Sequence, residues 1–229
     1  MTVHDIIAKL RSQRNPKNIA GMARFGINSK NTLGINMPFL RALAANIRKE
    51  SNNDKDLHIL ASQLWKSGIH EARILAGLID VPELVTQKQM DAWIKDFDSW
   101  DVCDTVCANL FDKTAFAYAK AIAWTKRDSE FEKRAGYVLM AVLAFHDKTV
   151  SHAKFSRFFP YIKAGANDER NFVKKSVNWA LRQIGKRNPA LKKQALKTAH
   201  EILYLNSKSA KWIAKDAIRE LNRKTFAQG

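Results

Sequence analysis

The stretch ERNFVKKSVNWALRQIGKRN, residues 169–188, shows most clearly which secondary structure this chain adopts. Its aliphatic residues recur at i, i+4, i+7, i+8 and i+11, which is the spacing of one face of an α-helix. They are Val173, Val177, Ala180, Leu181 and Ile184. The residues between them are mostly polar or cationic, so we predict an amphipathic helix that buries its aliphatic side.

The same period recurs along almost the whole chain. Five prolines and nine glycines in 229 residues leave few interruptions, and no segment alternates as a strand does. We predict helices over residues 3–13, 16–25, 38–50, 56–67, 70–79, 87–97, 100–112, 115–126, 130–145, 152–163, 169–186, 191–204 and 209–223. The fold class is therefore expected to be all-α.

The spacing of these helices favours a repeat architecture. From about residue 54 they pair at intervals near 35 to 40 residues, which is typical of two-helix HEAT-like repeats. We therefore expect an alpha-solenoid with a basic concave face, formed by residues 1–229 as a single domain. The longest irregular segment, GINSKNTLGINM at residues 26–37, is either a loop near bound substrate or a plain helix connection.

The composition favours a nucleic-acid partner. Thirty-nine Lys and Arg residues against 22 Asp and Glu give a formal charge of +17, whose field attracts polyanions. There is no apolar span of membrane length and no signal-peptide core near Met1, so we expect a cytoplasmic protein without a membrane partner. Cys103 and Cys107 are too few for a disulfide framework and are expected to be reduced core residues.

The segment SWDVCD, residues 99–104, combines an aromatic ring with carboxylates. If it opens a helix, Trp100 and Asp104 lie one turn apart on the same face. At about 100° per residue, Asp104 is roughly 110° and Trp100 roughly 70° from the centre of the apolar stripe. Both side chains can then face outward. The alternative is structural, with Ser99 or Asp98 as the N-cap and Trp100 in the core.

A second tryptophan is predicted on a cationic face. On the helix of residues 169–186, Trp179 falls roughly 145° from the aliphatic side. Lys175, Arg182 and Lys186 share its sector. Cations that bind phosphates beside an indole that packs on sugar or base would explain this pattern. The alternative is that a neighbouring repeat covers Trp179.

Further cations extend this predicted surface. The last helix carries a basic stripe of Lys208, Lys211, Lys215 and Arg219. It either extends the cationic face of residues 169–186 into one electrostatic track for a polyanion or is an ordinary solvated face. Arg134 begins a helix that is otherwise nearly all apolar, so we expect a phosphate or carboxylate partner for it. The sequence has no metal-ligand spacing, P-loop, nucleophile elbow or dinucleotide fingerprint.

Taken together, these segments resemble the AlkD-like alkylpurine DNA glycosylases, which are built from HEAT-like repeats. The resemblance covers most of the chain and depends on the order and spacing of several short motifs. They are MARF at 22–25, LGINMP at 33–38, LW at 64–65, WDVCD at 100–104, RA at 134–135 and FVKKSVNWALR at 172–182.

The resemblance implies roles for individual residues. Trp100, Asp104 and Trp179 match the family's catalytic cleft, and Arg134 matches an arginine that contacts the DNA backbone near the lesion. Phe25 matches a tyrosine at the DNA-binding surface, so the hydroxyl group of that tyrosine is missing here.

The resemblance also implies an activity. A purine alkylated at N3 or N7, such as 3-methyladenine or 7-methylguanine, departs as a neutral base and leaves a cationic sugar. Asp104 would stabilise that cation and orient water, and the two indoles would offer it electron-rich faces. The family is thought to act without extruding the base. We expect a monomer that needs no metal or organic cofactor and acts on alkylated duplex DNA, associated with the nucleoid when bound. The alternatives are a non-catalytic binder of damaged or branched DNA and a protein-binding HEAT scaffold.

Overall fold

The structure is a computed structural model, and it describes residues 1–51 and 53–223. Within these residues it is all-helical, as predicted, and contains no strand. The helices are α1 Val3–Ser12, α2 Pro16–Arg24, α3 Met37–Glu50, α4 Asp54–Lys66, α5 His70–Ile79, α6 Gln87–Trp93, α7 Trp100–Asn109, α8 Ala117–Trp124, α9 Glu130–His146, α10 His152–Ser156, α11 Phe159–Gly165, α12 Asn171–Gly185, α13 Pro189–Leu203 and α14 Lys208–Arg223. Short 3₁₀ turns follow α6 at Ile94–Asp96 and α7 at Phe111–Lys113.

The chain divides into two compact units, Met1–Ala115 and Phe116–Gly229. The single domain expected from the sequence stays a prediction. No helix among the described residues is both long and apolar enough to span a lipid bilayer.

The first unit is organised around α5. This helix packs against α3, α4 and α7 and is buried on almost every side. Gly77 permits the close approach of α7, because a Cβ there would lie 2.8 Å from Cγ2 of Val106. Beside this layer the indoles of Trp65 and Trp93 stack with their ring centroids 3.9 Å apart.

The second unit is organised around α9, which packs against α8 and α12. Further along the chain, α12 packs against α13 and α14. Three side-chain contacts here span 38 residues: Lys163 bonds Glu201, Glu169 bonds Ser207 and Asn178 bonds Asp216. They fit the predicted repeat interval in this part of the chain, whereas α4, α6 and α8 begin at residues 54, 87 and 117, a shorter interval than predicted.

One predicted helix is wrong in its extent. Residues 152–163 were expected to form a single helix, but the chain turns after Ser156 and a new helix, α11, begins at Phe159. Pro160 lies in the first turn of α11. Proline has no N–H and its ring clashes with the preceding turn, so it is tolerated at a helix start and not in the interior. The buried rings of Phe155 and Phe158 meet edge to face at this break.

Candidate functional site

Helix α7 begins at the predicted position, Trp100, and its start is fixed by a turn some seventy residues earlier in the chain. The backbone N–H of Asn28 donates to Ser99 Oγ at 2.8 Å, and the Asn28 side-chain amide donates to Asp98 at 2.8 Å. The Trp100 Nε1–H donates to the carbonyl oxygen of Phe25 at 3.0 Å. Ser99 is the N-cap residue by backbone position, but its hydroxyl makes no cap bond to its own helix.

These contacts present the predicted pair of side chains on α7. Trp100 and Asp104 lie one turn apart and are both partly exposed. The adjoining side carries the predicted apolar stripe of Cys103, Val106, Cys107 and Leu110, all fully buried. Trp100 is therefore not a core residue.

The two cysteines of this stripe are reduced, buried residues, as expected. Burial, together with a hydrogen bond to Cys103, raises the pKa of the Cys107 thiol well above its usual range. At neutral pH this thiol is therefore protonated and unreactive.

A hydrogen bond from a histidine fixes Asp101, the residue that follows Trp100 on α7. His70, at the start of α5, places Nε2 2.8 Å from Oδ2 of Asp101, and its side chain is nearly fully buried. Burial alone lowers the pKa of His70, but the hydrogen bond and charge of Asp101, with the nearby charges of Glu71 and Asp98, outweigh it and raise that pKa. The positive form of the imidazole is thus favoured beside the carboxylate.

The adjacent residue, Glu71, holds the loop before α3. Its carboxylate is fully buried and accepts backbone N–H bonds from Leu33, Gly34 and Ile35, the shortest being 2.7 Å from Gly34. A buried carboxylate is tolerated when its oxygens are satisfied in this way. Gly34 has a φ of +78°, and a Cβ there would lie 2.4 Å from the carbonyl oxygen of Asn15, so only glycine fits. The carboxylate of Glu71 therefore holds residues 33–35 in place, and the position of the loop near bound substrate stays a prediction.

A pocket of about 580 Å³ lies between this loop, α2 and the start of α7. Its lining is mainly apolar and aromatic, with polar groups from α2, α5 and α7. Phe25 stands on its rim with 74% of the residue exposed. The lining residues are Lys17, Asn18, Gly21, Met22, Phe25, Ile27, Gly34, Ile35, Asn36, Met37, His70, Ile74, Trp100 and Asp101. The structure thus brings Phe25 and Trp100 together, two residues that were predicted separately.

Residues His70, Glu71 and Asp101 were not predicted as part of this site. A signal was present, since His70 and Glu71 are polar residues in the first turn of HEARILAGLI, a segment whose only other polar residue is Arg73. A buried polar pair of this kind needs partners. The partners lie 31 residues away at Asp101 and about 38 residues away in the loop, so helical periodicity does not identify them.

In the second unit, α12 buries its predicted face and exposes part of Trp179. Val173, Val177, Ala180, Leu181 and Ile184 are all fully buried. Trp179 is partly exposed, so it does not lie in the core. Trp100 and Asp104 belong to the first unit and Trp179 to the second, and their common cleft stays a prediction.

The cations predicted around Trp179 differ in their surroundings. Lys175 is exposed. Arg182 forms ion pairs with Glu220 and, at 3.7 Å, with Asp216, and Lys186 also pairs with Glu220. The positive charge of Arg182 and Lys186 is thus largely balanced by acids of α14, so they hold α12 against α14. Their contact with DNA stays a prediction.

Arg134 is buried, with 6% of the residue exposed. One of its guanidinium nitrogens donates to the carbonyl oxygen of Phe172 at 2.7 Å, which joins α9 to the first turn of α12. The structure therefore gives Arg134 a role within the second unit. Its expected contact with the DNA backbone stays a prediction.

The basic stripe of α14 is largely exposed. Lys208, Lys211 and Lys215 lie on its outer face. Arg219 is exposed too but pairs with Asp216. This exposure fits both an electrostatic track and an ordinary solvated face, so the contact of these lysines with DNA stays a prediction.

The comparisons with known proteins concern nearly the whole chain. The model of a protein family described as DNA alkylation repair enzyme matches residues 6–221. This chain belongs to that family. The matched residues include both α7, with its Trp100–Asp104 pair, and α12, with Trp179.

A solved structure supports the fold. It is described as a member of a new family of proteins related to the HEAT-like repeat DNA glycosylases, with affinity for branched DNA structures. The TM-score is 0.75 and the sequence identity 19%, over 96% of this chain and 95% of the other. At this identity the likeness shows the shared HEAT-like repeat fold. A comparison with curated proteins gave no significant match. Within the described residues, no group of three or more His, Cys, Asp or Glu side chains is arranged to hold a metal ion.

Proposed function

We propose that this member of the DNA alkylation repair family is a monofunctional glycosylase. It hydrolyses the N-glycosidic bond of cationic N3- or N7-alkylated purines in duplex DNA. The observation that carries the proposal is the start of α7, where Trp100 and Asp104 are partly exposed one turn apart. Their helix is fixed from two directions, by the turn at Asn28 and by His70. A rigid support of this kind holds a reacting group in place.

The chemistry requires stabilisation of a positive sugar. The alkylated base leaves as a neutral molecule, and deoxyribose becomes an oxocarbenium-like cation. The carboxylate of Asp104 stabilises this cation and orients the attacking water, while the indoles of Trp100 and Trp179 present their electron-rich faces to it. Water is the second substrate, so the reaction needs neither an organic cofactor nor a metal.

Exposed cations supply the attraction to DNA in this proposal. Lys175 on α12 and Lys208, Lys211 and Lys215 on α14 bind phosphates directly. Arg134, Arg182 and Lys186 hold α12, which carries Lys175 and Trp179, against its neighbours. Phe25 contacts DNA through its ring at the rim of the pocket. The protein acts as a monomer on cytoplasmic, nucleoid-associated DNA.

The decisive experiment incubates purified protein with duplex DNA treated with a methylating agent and analyses the bases set free. Wild-type protein is expected to release 7-methylguanine and 3-methyladenine. Asp104→Asn should abolish release, because it removes the charge that stabilises the sugar cation, and should keep or increase duplex affinity, because it removes a repulsive anion. Release unchanged in Asp104→Asn would refute the role of this carboxylate.

The second candidate is a non-catalytic protein that binds damaged or branched DNA. One observation favours it: the structural relative is described as having affinity for branched DNA. The resemblance also implies a tyrosine at the position of Phe25, and this chain lacks its hydroxyl group. No base release from methylated DNA, together with tighter binding to a four-way junction than to a matched linear duplex, would support this candidate over the glycosylase.

A further inference from the structure

Helix α14 carries a tryptophan, Trp212, that lies outside the hydrophobic core. The residue is 42% exposed. The buried side of the helix is formed instead by small and aliphatic residues, namely Ser209, Ala210, Ile213, Ala214, Ala217 and Leu221. Tryptophan is usually placed in a core or an interface, because burial of its large ring is strongly favourable. An indole left on the surface therefore indicates an interaction surface.

Lysines surround this indole. Lys208 and Lys215 lie one turn before and about one turn after Trp212 on the outer face, and Lys211 is its exposed neighbour. From α12, Lys174 places Nζ 5.6 Å from the centroid of the ring. Within the described part of the chain, none of these four lysines has a carboxylate within ion-pair distance. This distinguishes them from Arg182 and Lys186 further along α12, whose charges Glu220 balances.

We propose that Trp212 and these four lysines, the Trp212 surface, bind an unpaired nucleotide segment of DNA. The inference rests on DNA being the partner, as in the proposed function. The base stacks on the indole while the lysines bind the flanking phosphates. In an intact duplex the faces of the bases are covered by their neighbours in the stack. An indole on the protein surface can therefore reach a base face only where a strand is gapped, frayed or branched.

Other polyanions fit the Trp212 surface less well. An acidic protein segment would form ion pairs with the lysines but does not supply a flat aromatic face for the exposed indole. A membrane-surface helix inserts its apolar face into the lipid. The apolar face of α14 is already buried against α12 and α13, which leaves a single ring exposed. An unpaired nucleotide supplies a flat aromatic face and a phosphate together.

The test uses undamaged DNA, so it does not depend on catalysis. Fluorescence anisotropy measures the affinity of wild type, Trp212→Ala, Trp212→Phe and the control Phe145→Ala for a blunt duplex and for the same duplex with a four-nucleotide gap. Phe145 is a suitable control because it is also exposed, at 60%, and has one lysine, Lys148, over its ring. Titrations at several salt concentrations give the number of phosphate contacts.

We expect wild type to bind the gapped duplex more tightly than the blunt one. Trp212→Ala should weaken binding to the gapped duplex by about 10-fold, within the range for one stacked base, and binding to the blunt duplex by less than about twofold. The salt dependence should not change, since no phosphate contact is lost. Trp212→Phe should keep most of the preference, and Phe145→Ala should behave as wild type. Melting temperatures within about 2 °C of wild type would exclude unfolding.

Three results would overturn the inference. They are an equal loss on both DNA molecules, no loss on either, and a similar loss in Phe145→Ala. A wild-type protein that binds neither DNA would remove the DNA partner on which the proposed function also depends. A protein that binds both and does not respond to Trp212→Ala would refute the Trp212 surface alone.

Discussion

Replacement of Glu71 by alanine should destabilise the first unit strongly. One carboxylate oxygen, Oε1, accepts the N–H groups of Leu33 at 3.0 Å, Gly34 at 2.7 Å and Ile35 at 3.2 Å, and Oε2 accepts that of Leu33 at 2.8 Å. In Glu71→Ala three backbone donors remain buried without a partner. Each costs about 1–3 kcal/mol, and partial relaxation of the loop brings the expected loss of unfolding free energy to about 3–5 kcal/mol.

The isosteric variant Glu71→Gln separates charge from geometry. If the amide oxygen takes the place of Oε1, it keeps a partner for all three backbone donors. The amide nitrogen then takes the place of Oε2 and, being a donor, faces the N–H of Leu33 instead of accepting from it. We therefore expect Glu71→Gln to lose about 1–3 kcal/mol, less than Glu71→Ala.

Urea unfolding of both Glu71 variants gives the two free energies, and hydrogen exchange gives the protection of the amides of residues 33–35. Exchange of these amides should accelerate strongly in Glu71→Ala, whereas in Glu71→Gln the amides of Gly34 and Ile35 should stay protected. Equal losses in the two variants, or unchanged protection in Glu71→Ala, would refute the reasoning that this carboxylate holds the loop.

Three further predictions concern charge, pH and packing. Lys175→Ala should lower the salt dependence of DNA binding by about one phosphate equivalent with stability unchanged. Arg182→Ala should instead lower the free energy of unfolding by about 1–2 kcal/mol, since it breaks a partly buried ion pair, and a slope change equal to that of Lys175→Ala would contradict this. Because the folded-state pKa of His70 is raised above its ordinary value of 6.5, its contribution to stability is fully present below that pH and is lost as pH rises through the raised pKa. Unfolding measured from pH 5 to 8 should show this loss in wild type and not in His70→Gln, and parallel curves would contradict it. Gly136→Ala should cost about 1–3 kcal/mol in thermal unfolding, because its Cβ would lie 2.8 Å from the backbone nitrogen of Thr125 at the end of α8, and an unchanged melting temperature would count against this packing.

Much of the fold could be predicted from the sequence because helices are local structures. The aliphatic residues of α12 and the apolar stripe of α7 lie on the faces that the period of 3.6 assigns to them, and all are buried. The start of α7 at Trp100 and of α9 at Glu130 also followed from local signals. Pro160 was such a signal too, and its position predicts the break before α11 that we did not assign.

The candidate site could be predicted only in part. Trp100 and Asp104 share a face because they lie four residues apart on one helix, a fact that the sequence alone determines. Their support by Asn28 and His70 depends on contacts across 71 and 31 residues.

The surroundings of the cations on α12 were decided by tertiary structure alone. A helical projection placed Arg182 in a sector with Lys175 and Trp179. Such a projection gives only the direction of each side chain about the axis of one helix and says nothing of the other helices that pack against it. The packing of α14 against α12 brings Glu220 to Arg182, 38 residues away, and leaves Lys175 exposed. The sequence therefore determined which side of each helix is apolar, because that depends on residues a turn apart. Only the packing of the helices decided which charges are paired and which remain for a partner, because pairing depends on distance in space.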